Sequence, residues 1–118
     1  MPTIGGEITV SDANSHINAF ISSYFTPGDF PVKSFIFDAG LLKSYLDNNP
    51  SIVNMKFMLA EKEFLVDGNT KVMPTMVLVG YDSSGNYVKL SNGKVLNSAE
   101  PCPTMCPTVG AAANDNIS

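Results

Sequence analysis

The stretch that decides the fold is VNMKFMLAEKEFLVDGNTKVMPTMVLVGY, residues 53–81. After Pro50 the pattern alternates, so that Val53, Met55, Phe57 and Leu59 fall on one side of an extended chain. This period of two predicts a half-buried strand whose more apolar side faces inward. The less apolar side, which includes Met58, is expected to stay free.

A tight reversal follows at Asp67-Gly68, because this dipeptide supplies the positive φ that a short hairpin turn needs. A second long strand is predicted from about Val72 to Tyr81. Pro74 lacks an amide proton, so we expect it at the beginning of that strand or on a free edge. Met76–Val79 is apolar on both sides and is expected to be central.

The chain then continues with short strands and turns. A turn cluster at residues 82–86 precedes a third strand at 87–90, and Asn92-Gly93 predicts a further hairpin into Val95-Leu96. The second half of the chain is therefore expected to be an antiparallel meander.

Two helices are predicted before this sheet. The first begins at the cap Ser11 and ends at residues 26–28, and the second begins at the cap Asp38 and ends at residues 48–50. Each has apolar residues at helical spacing: Ala13, Ile17, Phe20, Ile21 and Tyr24, then Leu41, Leu42, Tyr45 and Leu46. Between them, residues 32–37 fit either a strand or the lead-in to the second helix.

Helices followed by strands indicate an α+β fold, with two N-terminal helices packed on a C-terminal antiparallel sheet of three to five strands. We expect one domain over residues 1–100 and a cysteine- and proline-containing tail over 101–118, with a frayed end from Ala111.

Composition excludes several classes of function. The 118 residues carry a net charge of -4, with seven lysines and no arginine, so nucleic-acid binding is not expected. Polar residues interrupt every apolar run, which argues against a membrane span. Residues 1–7 do not resemble a secretory signal, and we therefore expect a cytoplasmic protein, although a mature form whose signal had been removed would look the same.

Cys102 and Cys106 lie in the most distinctive segment, Pro-Cys-Pro-Thr-Met-Cys-Pro at residues 101–107. A local disulfide, half of a four-thiolate zinc site completed by a second chain, and a redox pair are all open. A zinc site needs about four ligands, and thioredoxin-like motifs have two residues between the cysteines rather than three. The favoured interpretation is a surface tail with free or locally paired thiols, so both cysteines are weak metal candidates.

Other candidate residues have simpler interpretations. His16, the single histidine, is expected at the half-solvated boundary of the first helix, without the partners that a catalytic base needs. Asp82-Ser84-Asn86 opens like a calcium loop but lacks its later glycine and glutamate, which favours a hairpin turn. Glu61 and Glu63 are expected to solvate a strand edge and to discourage edge-to-edge pairing.

A further pattern is formed by residues 17–24, 32–37, 41–46, 76–82, 85–86 and 102–106. With these segments the chain resembles, over residues 8–107, a family of small uncharacterised bacterial proteins. The family shares a Val-Gly-x-Asp strand end and a closing Cys-Pro-Pro-x-Cys motif, and here Thr104 replaces the second proline. The resemblance implies a bacterial source and a similar fold, and it implies no function.

From these observations we expect a non-enzymatic binding or interaction module with no cofactor and no catalytic residues. Its partner would be an unidentified protein, a second copy of the chain included. The alternative is a thiol redox or zinc-binding protein that uses Cys102 and Cys106. A small hydrolase built from Ser or Asp side chains is a third candidate.

Overall fold

The computed structural model describes residues 3–117 and contains two α-helices and five β-strands. The helices are α1, Val10–Phe20, and α2, Ala39–Asn48; a π-helical segment, Ile21–Phe25, continues α1. The strands are β1 (Ser34–Ile36), β2 (Asn54–Val66), β3 (Asn69–Tyr81), β4 (Tyr87–Val88) and β5 (Glu100–Cys102). The predicted α+β class, with N-terminal helices and antiparallel strands after them, is confirmed.

The start of α1 differs from the prediction. Its N-cap is Thr9, whose Oγ1 accepts a hydrogen bond from the Asp12 amide at 3.0 Å, so Ser11 lies inside the helix. Both residues carry a hydroxyl that can cap a helix, and the sequence alone does not choose between them. Tyr24 is 53% exposed, although it belongs to the predicted apolar stripe.

The limits of α2 are as predicted. Asp38 Oδ1 accepts from the Leu41 amide at 2.9 Å, and the helix ends at Asn48. Its apolar stripe is narrower than predicted, because Tyr45 and Leu42 join the core while Leu41 and Leu46 remain exposed.

The main sheet has the order β2-β3-β4. Strands β2 and β3 pair without interruption from Asn54↔Tyr81 to Val66↔Asn69. The connecting residues Asp67 and Gly68 have φ values of 50° and 82°, which correspond to a type I′ turn. Both strands are longer than predicted, because a turn of only two residues allows the residues on either side of it, Val66 and Asn69, to pair.

The remaining strands are short. After β4 the chain turns at residues 91–94, and Leu96 then pairs with Leu78 on the side of β3 opposite to β2. Strand β1 pairs with β5 in a separate two-stranded sheet. Residues 34–36 are therefore a strand that does not join the main sheet.

The predicted burial of β2 is wrong at its centre. Residues alternate as expected, but Phe57 is 52% and Leu59 66% exposed, and Val53 is also exposed. On the opposite side Met58 is half-buried and Phe64 is buried. The core covers β3 on the Phe57 side, at Leu78, and among the apolar residues of β2 it is Met55 that packs against it.

The described chain groups into two compact units: a sheet unit, residues 35–100, and a helix–tail unit, residues 3–34 and 101–117. The domain bounds 1–100 and 101–118 stay a prediction. The core of the sheet unit consists of Tyr45, Leu78, Leu96 and Ala99, with half-buried apolar residues around them.

In the helix–tail unit, the frayed end predicted from Ala111 is not observed, because contacts with earlier residues hold this segment. Asn14 exchanges two hydrogen bonds with the backbone of Ile117, at 3.0 and 2.8 Å. Lys33 forms an ion pair with Asp115 at 2.9 Å, and its ammonium lies 4.7 Å from the centre of the Phe25 ring. Ser118 lies outside the described residues.

Candidate functional site

Cys102 and Cys106 form a disulfide with their Cα atoms 4.7 Å apart. The amide of Met105 donates to the carbonyl of Pro101 at 2.7 Å, so the intervening residues fold into a tight loop. This is the local pairing that the sequence left open. In this state neither sulfur is a thiolate, and zinc binding would first require reduction of the bond.

The other candidates from the sequence are not brought into a common site. His16 is exposed on α1. Asp82 Oδ1 accepts from the amides of Ser84 and Asn86, both at 3.0 Å, so this segment is the hairpin turn that was favoured over a calcium loop. Within residues 3–117 no group of three or more His, Cys, Asp or Glu side chains could hold a metal.

One cleft of about 350 Å³ lies in the sheet unit, beside the start of α2. Two of its polar groups already have partners: the Asp38 carboxylate caps α2, and Ser98 Oγ accepts from Lys62 Nζ at 2.7 Å. These two groups are therefore engaged within the protein and offer little to a ligand. It is lined by Ile36, Phe37, Asp38, Leu41, Asn97, Ser98 and Glu100.

The free edge of β2 is a stronger candidate for a binding surface than this cleft. Leu78 exchanges both backbone hydrogen bonds with Leu96, at 2.9 and 3.3 Å, so the polar groups of Leu78 point away from β2. Phe57, which lies opposite Leu78, is therefore in a non-hydrogen-bonded pair, and its own N–H and C=O point outward.

The regular register extends this result along the strand. Alternation gives Met55, Phe57, Leu59, Glu61 and Glu63 outward-pointing backbone groups. The position of Pro74 agrees, because it lies opposite Glu61, where β3 donates no hydrogen bond to β2. In the described part of the chain no strand pairs with this side of β2.

Two of these residues also carry exposed apolar side chains. Phe57 and Leu59 are both more than half exposed, and Leu65 further along the same side is 71% exposed. Backbone donors, backbone acceptors and apolar side chains thus coincide over one segment. Glu61 and Glu63 lie between Leu59 and Leu65 in the same alternating set, and this was the one signal in the sequence that this side faces solvent.

Lys56 lies on the other side of β2. Its Nζ donates to the Tyr87 hydroxyl at 2.9 Å and lies 5.5 Å from the centre of that ring. The hydrogen bond with Tyr87, followed by the charge interaction with the same group, raises the pKa of Lys56 above its ordinary value of 10.5. Lys56 is therefore a permanent cation at neutral pH.

Comparison with protein-family models, with curated proteins and with solved structures finds no match to this chain. The resemblance to a family of small bacterial proteins stays a prediction. No helix among residues 3–117 is long and apolar enough to cross a bilayer.

Proposed function

We propose that this chain is a non-enzymatic interaction module and that its binding element is the free edge of β2. One observation carries the proposal: Phe57 and Leu59 present outward N–H and C=O groups and exposed apolar side chains together. An extended segment that adds to such an edge gains main-chain hydrogen bonds, while alternate side chains provide selectivity.

The length of the edge supports this function. Strand β2 spans Asn54–Val66, longer than the usual strand of about five or six residues. Long exposed edges with apolar side chains are normally shortened, bulged or covered, because they otherwise pair with other chains. Here the register with β3 has no bulge, and the two acidic residues protect only the second half of the edge.

The edge is a better candidate than the two surfaces favoured by the sequence. Met58 is half-buried, and its backbone groups point toward β3. The tail is folded into a disulfide loop in which Cys102 is only 6% exposed. A partner that approaches β2 meets unpaired backbone groups, which neither of these surfaces provides.

A photo-crosslinking amino acid in place of Phe57, introduced in the organism that makes the protein, tests the proposal. The matched control is the same replacement of Tyr24, an aromatic side chain that is exposed to the same degree, 53% against 52%. We expect protein adducts from position 57 and none from position 24.

A second variant shows whether the adduct depends on the edge. Leu59→Pro removes one outward N–H and leaves the β2–β3 ladder intact, so it should abolish the adduct. Leu65→Pro makes the same change in the second half of the edge, beyond the acidic residues Glu61 and Glu63, and should preserve the adduct. An adduct that survives Leu59→Pro, or its absence from position 57 in the native strand, would contradict the proposal.

The second candidate function is thiol–disulfide exchange at Cys102 and Cys106, or zinc binding by these cysteines after reduction. The observed disulfide favours this candidate. In exchange, a dithiol partner would be oxidised while the two cysteines become thiols. Thiol titration before and after reduction, with metal analysis of the reduced protein, tests it. If the reduced protein has two thiols of ordinary pKa and binds no zinc, this candidate function is rejected and the cysteines have a structural role.

The disulfide also bears on the cytoplasmic location, which stays a prediction. Disulfides persist in oxidising compartments and are kept reduced in the cytosol of most organisms. Alkylation of thiols in intact cells before lysis therefore reports the compartment. A cytoplasmic protein should carry two alkylated cysteines, whereas complete protection of Cys102 and Cys106 would indicate an oxidising compartment.

A further inference from the structure

We propose that the occupant of the β2 edge is β2 of a second copy of this chain, paired antiparallel about a twofold axis at Met58. This inference rests on the proposed function, since it names the partner of the same edge. It follows from the pattern of charges along the strand, which rejects most of the registers that a symmetric pair could adopt.

In a symmetric antiparallel pair, one residue lies opposite its own copy, and the others are matched on either side of it. An axis at Glu61 places that carboxylate opposite itself, and an axis at Lys62 places Glu61 opposite Glu63 of the second copy. An axis at Leu59 places Lys56 opposite Lys62 of the second copy. Like charges directly opposite each other destabilise a strand pair.

An axis at Ala60 avoids these clashes but loses the apolar contact. It sets Phe57 opposite Glu63 and Leu59 opposite Glu61 of the second copy, so each exposed apolar side chain would meet a carboxylate. The exposed apolar area would then be buried against charged groups that need water.

An axis at Met58 places no like charges opposite each other and keeps the exposed apolar side chains in contact. Phe57 lies opposite Leu59 of the second copy, and the symmetric contact repeats this pair. Both residues point their N–H and C=O groups outward, so the two strands can exchange hydrogen bonds there. Glu61 falls opposite Met55 of the second copy, away from other carboxylates.

The paired length separates this register from its remaining neighbour. With the axis at Met58, residues 54–62 of each strand are paired, whereas an axis at Phe57 pairs only 54–60. The longer pairing forms more hydrogen bonds and buries more of the apolar side chains. It also explains why acidic residues begin at Glu61: they lie toward the end of the paired segment and block slippage beyond it.

Single-cysteine variants test the register. Met58 and its copy would form a non-hydrogen-bonded pair with Cα atoms about 4.5 Å apart, a separation that a disulfide can span. The control, Ala60, is equally half-buried and on the same side, but it would lie about 14 Å from its copy. The native cysteines are joined to each other, so each variant adds one free thiol.

We expect Met58→Cys to form a disulfide-linked dimer under mild oxidation and Ala60→Cys to form about tenfold less. Independently, sedimentation of the native protein should show a concentration-dependent rise from 12.6 kDa toward twice that mass. Leu59→Lys should weaken this association about tenfold or more, since the change recurs in both copies. Leu65→Lys, outside the paired segment, should leave it within about twofold.

Several outcomes would overturn the inference: a monomer at every concentration, equal cross-linking by Met58→Cys and Ala60→Cys, or unchanged association in Leu59→Lys with a native circular dichroism spectrum. The adducts from position 57 then separate the two proposals. An adduct with a different protein would leave the interaction function standing and reject the second copy, whereas no adduct would reject both.

Discussion

At the scale of single residues, one hydroxyl joins two strands of the main sheet. Tyr45, only 1% exposed, accepts a hydrogen bond from the Gly80 amide at 2.8 Å and donates to the Val88 carbonyl. Gly80 and Val88 lie opposite each other in β3 and β4, so the phenol stands between their backbone groups. A Cβ on Gly80 would come within 2.6 Å of Ile52, which explains the glycine next to this contact.

We therefore predict that Tyr45→Phe lowers the free energy of unfolding by about 1–3 kcal/mol, since it leaves a buried donor and acceptor unpaired. Urea unfolding measures this, with an unchanged dependence on denaturant concentration. Tyr24→Phe removes a hydroxyl from an exposed ring and should be neutral. Equal stability of the two variants would show that the Tyr45 hydroxyl contributes nothing.

At the scale of elements, the sequence correctly predicts the features that depend only on residues close together in the chain. The Asp38 cap, the end of α2 and the Asp67-Gly68 turn all depend on groups within a few residues of each other, and all are found. The burial of Phe57 and Leu59 was predicted wrongly because it depends on where distant elements pack, whereas Met55 on the same side does pack against the core. Phe57 and Met58 are both apolar, yet Phe57 is exposed and Met58 is half-buried, and no local pattern distinguishes them.

For the same reason the site was harder to predict than the fold. The sequence identified the cysteine segment, whose composition is unusual, and interpreted Glu61 and Glu63 as protection of a strand edge. It did not indicate that the other half of that edge is free. The outward direction of the Phe57 backbone groups follows from the pairing of Leu78 with Leu96, which no local pattern contains.

The turn that sets the register of β2 gives a prediction at this scale. Gly68 has a φ of 82°, and a Cβ added to it would meet no atom within 4 Å, so Gly68→Ala changes backbone strain without a steric clash. We expect a loss of about 1–2 kcal/mol in the free energy of unfolding. Gly6→Ala, in open space and without a positive φ, is the control and should change little. A Gly68→Ala variant as stable as this control would contradict the turn geometry.

At the scale of the whole molecule, contacts between distant parts of the sequence decide which segments are ordered. Composition predicts a frayed end from Ala111, since small and polar residues dominate there. In the helix–tail unit, however, Asn14 and Ile117 are 103 positions apart and exchange two hydrogen bonds. The ion pair of Lys33 with Asp115 fixes the same segment two residues earlier, although an exposed pair of this kind adds little by itself.

The Asn14 amide is thus expected to be the main attachment of the C-terminal segment. Asn14→Ala removes both hydrogen bonds, and we predict that exchange of the Ile117 amide hydrogen becomes about tenfold faster, as expected when local opening becomes about 1.4 kcal/mol easier. Hydrogen exchange followed by NMR measures this rate. Asn18→Ala makes the same change at an exposed position of α1 and should leave the Ile117 rate unaltered. If exchange at Ile117 is the same in both variants, the segment is fixed by other contacts, and the Lys33–Asp115 pair becomes the next to remove.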